Sequence, residues 1–120
     1  MKSKFLVPFE TAQLLKEKGY NSLCDCYYMP DKELYLGILV SNMDYEDCGN
    51  CSAPTYHEVV DWLREEYGLI VCVGFSVMKC WSWSVERLRA TLQVLYCGDM
   101  QGTREEAINA AIIKALEELL

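Results

Sequence analysis

Residues 69–97 read LIVCVGFSVMKCWSWSVERLRATLQVLYC, and how this stretch is read decides the fold. Three runs within it, 69–75, 80–88 and 91–97, alternate apolar with small or polar residues, the period of a half-buried strand. One set of positions holds Leu69, Val71, Val73 and Phe75, then Trp81, Trp83 and Val85, then Leu92, Val94 and Tyr96. The other set holds Cys72, Gly74, Ser82, Ser84, Glu86 and Gln93. An antiparallel meander with a single apolar face needs helices on that face and tolerates water on the other.

The flanking sequence supplies the helices. In PTYHEVVDWLREEYG (54–68), Thr55 and Glu58 have the spacing of a capping box, and Gly68 stands where a helix stops. Tyr56, Val59, Val60, Leu63 and Tyr67 repeat at helical spacing opposite Glu58, Asp61, Arg64 and Glu65. After the CGDMQG turn, Thr103 and Glu106 repeat the capping pair, and Ile108, Ala111, Ile112, Ala115, Leu116 and Leu119 form a stripe. Upstream, ETAQLLKEKGY predicts a short helix with Ala12, Leu14 and Leu15 inward and Gly19 as its stop. CDCYYM (24–29) and ELYLGILV (33–40) predict two strands joined through Pro30, Asp31 and Lys32. SNMDYEDCGNCSAP (41–54) reads as a polar, acidic loop. The expectation is one α+β domain over 1–120, with an αββ extension (1–52) and an αβββα core (53–120). In that core, helices pack on one face of an antiparallel sheet.

A chain of 120 residues with 52% hydrophobic and 24% charged residues is long enough for one buried core and is not of disordered composition. Its formal net charge of −7 repels nucleic-acid phosphates and anionic membranes. The cations are scattered, none closer than two apart, as at Arg87 and Arg89. No apolar stretch approaches the ~20 residues that span a bilayer, and MKSKFLVPFE is too short in apolar residues for a signal peptide. A cytoplasmic location is expected, where the seven cysteines stay mostly reduced.

The last helix carries a resemblance. Thr103, Arg104, Glu105, Glu106, Ala107, Ile108, Asn109, Ala110 and Ala111, followed by Ala115 and Leu116, run in order through the signature of the double-stranded RNA-binding domain. In that family a Ser or Thr precedes two lysines, with a third lysine and several alanines further on. The helix–three strands–helix order over 54–120 resembles the same family. The resemblance implies that fold, with the alanines setting close helix–sheet packing. It also implies phosphate contacts from the cations, of which only Arg104 is present; Glu105 and Ile108 hold the other two places. With six Lys/Arg against ten Asp/Glu over 53–120, RNA binding is not expected. EVVDWLREEYGLIV and REEAINAAIIKALEEL are also similar to uncharacterised small proteins encoded in phages and prophages of gut bacteria, which implies a setting and no mechanism.

Chemistry-bearing residues are few. His57 is the single histidine, and Cys51 lies six residues upstream near a helix start, the one arrangement that suggests a thiol–imidazole pair. Asp44, Glu46 and Asp47 read as solvated loop acids, and the glycines are too dispersed for a phosphate loop. Cys24, Cys26, Cys48 and Cys51 offer four thiolates that could close a structural zinc site, although a Cys-x-Cys strand pair is an unusual half-site. Trp81 and Trp83 offer a stacking platform, but they share the apolar set and are expected in the core. No catalytic, cofactor or metal residue is assigned. The reading is a non-catalytic protein-interaction module of phage or prophage type, binding another protein or itself, with no membrane partner. The alternatives are an atypical or vestigial double-stranded RNA-binding domain, and a zinc-stabilised module or thiol enzyme.

Overall fold

A computed structural model describes residues 5–40, 50–75, 79–88 and 92–120. The fold is α+β, with three helices and two three-stranded antiparallel sheets among the described residues. Two compact units are present, Met1–Thr55 and Tyr56–Leu120.

In the first unit, α1 (Phe9–Glu17) is followed by β1 (Cys24–Tyr28), β2 (Leu34–Val40) and the two-residue β3 (Cys51–Ser52). Pro8 occupies the α1 N-cap with extended backbone, a place where its missing N–H costs nothing. At the other end Gly19 adopts φ +92°, Tyr20 N–H donates to Leu15 C=O, and Gly19 N–H donates to Lys16 C=O. That paired closure is a Schellman motif, and glycine supplies the left-handed residue it needs. Thr11, Ala12 and Leu15 are buried, while Leu14 is only half-buried. The β1–β2 hairpin turns at Pro30 and Asp31, with Lys32 N–H donating to Met29 C=O and Asp31 Oδ1 accepting from Glu33 N–H.

The sheet order is β2-β1-β3, so the segment read as loop contributes a strand that pairs with β1 through Tyr27–Ser52 and Tyr28–Cys51. Residues 41–49 of that stretch lie outside the described residues. β3 and the Leu6–Thr55 bridge tie residues 50–55 to this unit, which places the boundary at 55/56 where the sequence suggested 52/53. A strand of two residues has no periodicity to read, which is why it escapes a sequence pattern.

In the second unit, α2 (Tyr56–Tyr67) leads through Gly68, at φ +66°, into β4 (Leu69–Phe75), β5 (Trp81–Leu88), β6 (Leu92–Gln101) and α3 (Arg104–Leu119). The order β4-β5-β6 is the expected meander, with Leu69–Arg87 through Phe75–Trp81 in unbroken register. Thr103 Oγ1 accepts from Glu106 N–H at 3.0 Å, so the cap expected at α3 is made. α3 lies across all three strands, and α2 packs on β4 and on α3. The packing surface of α3 is Ala107, Ala111 and Ala115 in one i, i+4 row beside Ile108, Ile112 and Leu116, all buried. The methyl-sized row lets the helix axis approach the sheet, and the large residues fill the space beside it.

Two irregularities in the β5–β6 pairing change what the alternation implies. Val85 faces Tyr96, yet Glu86 faces Val94, so one extra residue, Leu95, is taken up by β6. A β-bulge of one residue reverses every side chain beyond it. Val94, expected among the apolar set, therefore shares a face with Glu86 and is 56% exposed. A second bulge between Trp81 and Trp83 carries β6 on to Gln101, through residues that read as a turn.

A candidate docking face on the second sheet

The register sorts the second sheet into two faces. Leu69, Val71, Val73, Trp83, Val85 and Tyr96 lie toward the helices, with Leu69 and Val85 fully buried. Ile70, Cys72, Gly74, Ser82, Ser84, Glu86, Val94 and Cys97 lie on the other face. Since α2 and α3 both pack on the first, the second remains open, as Cys72, Gly74 and Cys97 show by their exposure. Small side chains make it concave: Cys72, Gly74, Ser84, Cys97 and Asp99 line a shallow depression, with Trp83 also in its wall.

Polar groups on this face bond to one another. Ser84 Oγ donates to Glu86 Oε2 at 3.1 Å, and Ser82 Oγ donates to Gly74 C=O at 3.3 Å. Cys72 stands opposite Ser84, which stands opposite Cys97, so the two thiols flank one serine across three strands. At ~4.8 Å per strand the cysteine backbones are ~10 Å apart, beyond disulfide reach. Partial burial of its sulfur and then a hydrogen bond to Glu86 push the Cys72 thiol above its ordinary pKa. A thiol so held stays protonated at neutral pH and is a poor nucleophile. Cys72 is accordingly expected to alkylate only slowly with iodoacetamide. Glu86→Gln, which removes the charge that opposes ionisation, should speed it by roughly threefold, read by peptide mass spectrometry over time.

The other candidates separate from this face. Trp83 is half-buried and its indole lies against Gly98, its partner on β6. Trp81 is also half-buried and meets Phe75 edge-on at 5.2 Å, with Phe75 60% exposed. Expected in the core, the aromatic pair at this end of the sheet is only partly covered. Trp83 nonetheless contributes to the lining of the depression, whereas Trp81 does not.

Cys24, Cys26 and Cys51 are all buried on the inward face of the first sheet with Tyr28, whose hydroxyl donates to Val7 C=O at 2.7 Å. Among the described residues no group of three or more His, Cys, Asp or Glu is arranged to hold a metal ion, and Cys48 lies outside them. Burial pushes the Cys51 thiol up to about 11, against a smaller opposing effect of Lys16. This is the reverse of the activation that a helix start suggested, and the physical reason is desolvation of the thiolate. His57 is 87% exposed on α2 and pairs with Asp61 at 3.4 Å. This contact is an exposed i, i+4 pair along one helix, where solvent screens it.

On α3, Glu105 is half-buried and Ile108 is 7% exposed, so the position matching the third lysine of the RNA-binding signature faces the protein interior. Arg104 is exposed. No described helix is long and apolar enough to cross a membrane. No protein-family model, curated protein or solved structure matches the chain.

Proposed function

We propose that the chain is a non-catalytic protein-interaction module that docks a partner on the open face of the β4–β5–β6 sheet, in a phage or prophage setting. One observation carries this reading: both helices lie on the same side of the sheet, leaving a concave face of small polar residues uncovered. The bulge that turns Val94 outward gives that face an exposed apolar contact, and apolar contacts exclude water at interfaces. Ser84 and Glu86 on this face bond to each other, and the Cys72 thiol is held protonated, which favours recognition over catalysis.

Ser84→Arg places a long cation in the middle of the depression without touching the helix-facing core. The wild-type chain should retain a partner at fixed stoichiometry in pull-downs from its host, and the variant should lose it while melting within about 3 °C of wild type. Retention that is indifferent to the substitution would place docking elsewhere.

A second reading, an atypical double-stranded RNA-binding domain, is favoured by the α2-β4-β5-β6-α3 order and the alanine row of α3. Its phosphate contacts are reduced to Arg104, and each lost contact removes about one released counterion of affinity. Duplex RNA retarded in a gel at low salt by the wild-type chain, but not by Arg104→Glu, would establish it.

A further inference from the structure

The charge on the open face narrows the partner. Resting on the docking face proposed above, we infer that the occupant is a lysine- or arginine-rich protein segment, with one side chain lying along Val94 to end at Glu86 and another ending at Asp99.

Glu86 is placed on this face by register and Asp99 lines its depression; among the described residues assigned there, none is Lys or Arg. Glu86 and Val94 stand directly opposite each other on neighbouring strands, so their Cβ atoms lie ~5 Å apart. An exposed apolar side chain beside a carboxylate matches the two-part chemistry of lysine and arginine. Their methylene stems cover apolar surface while the charged head reaches an acid or water. Ser84 Oγ, 3.1 Å from Glu86 Oε2, orients that carboxylate before any partner arrives. Gly74 and Ser82 keep the floor low, so a chain can approach the sheet closely.

The same charge argues against two other occupants. A second copy of the chain carries −7 as well and is repelled at long range, and a nucleic-acid backbone meets two carboxylates. A cationic segment is instead steered toward the protein, with an on-rate that falls as salt rises.

The probe is a flexible peptide alternating lysine and glycine, titrated into the isotope-labelled full chain and followed by amide chemical shifts at low and at moderate salt. Shifts are expected around residues 72–74, 82–86 and 94–99. The Glu86→Gln, Asp99→Asn double variant should bind about fivefold more weakly, as for two exposed charge pairs. A control neutralising Glu117 and Glu118, exposed acids on α3, should change affinity less than about twofold. Equal losses in the two double variants, or shifts centred on α3, would mean diffuse attraction to an acidic protein and would overturn the inference. The Ser84→Arg pull-down separates the two proposals. A partner lost with Ser84→Arg but retained by the Glu86→Gln, Asp99→Asn chain leaves the docking face standing and removes its cationic occupant.

Discussion

Leu116→Ala is expected to destabilise the second unit by about 2–5 kcal/mol, while Val94→Ala changes stability by less than about 0.5 kcal/mol. Both residues are branched aliphatics within apolar patterns, so composition alone does not separate them. Leu116 is 0% exposed, on the helix that crosses all three strands, so truncation leaves a cavity that packed neighbours close only in part. Val94 is 56% exposed because the bulge at Leu95 has turned it to the open face, and removing its methyls there returns little surface to water. Urea titrations of the two variants measure the contrast. A large loss for Val94→Ala would place that side chain under the helices and abolish the bulge. The docking face would then lose its apolar contact.

The second large effect is at Gly98. A Cβ added there would lie 2.6 Å from Trp83 Nε1 and 2.7 Å from two further ring atoms, closer than non-bonded carbons approach. The whole indole edge meets that point, so relief requires the ring or the strand to move, not just the tip of a flexible chain. Gly98→Ala is expected to cost about 1–3 kcal/mol, with a changed near-ultraviolet circular dichroism signal from the displaced indole. Gly74→Ala provides the control, since a Cβ at that position meets only Ser82 Oγ at an ordinary 3.7 Å. Replacing Trp83 by leucine as well should recover part of the Gly98→Ala loss, a coupling that only contacting residues produce. Additive losses in that cycle would mean the ring does not rest on Gly98.

Alternation in 69–97 and the spacing of apolar residues after Thr55 and Thr103 each report a local period, and a local period follows from backbone geometry alone. The meander, its flanking helices, the α3 cap and the Gly19 and Gly68 stops were therefore legible. Narrow stripes were less so: Val59 and Leu63 are buried on α2, but Tyr67 is 43% exposed and meets Trp62 edge-on at 5.2 Å. Periodicity names the side of a helix that turns inward, whereas the extent of the opposing surface sets how much of that side is covered.

The candidate face was legible only in part. Cys72, Gly74, Ser82, Ser84 and Glu86 could be grouped as the polar set, because β4 and β5 pair without interruption. Val94 could not, and neither could the pairing of Cys97 with Ser84 or the strand that runs on through Asp99. Each depends on an extra residue in β6 at two points, and a bulge is a choice of register between two strands that neither strand encodes alone. β3 is a similar case: Cys51 and Ser52 become a strand only because β1 offers them a free edge. Cys51 makes the point for chemistry. Its place before a helix suggested an activated thiol, and burial beside Tyr28 holds it protonated.

The amino-acid sequence by itself determined the element types, their order, the helix ends and the net charge, since these follow from propensity, capping and composition within a few residues of chain. Tertiary structure decided which residues share the open face, how deep each cysteine lies and where the two units divide. Strand register and burial are properties of pairs of segments distant in sequence, and they are fixed only when the segments meet.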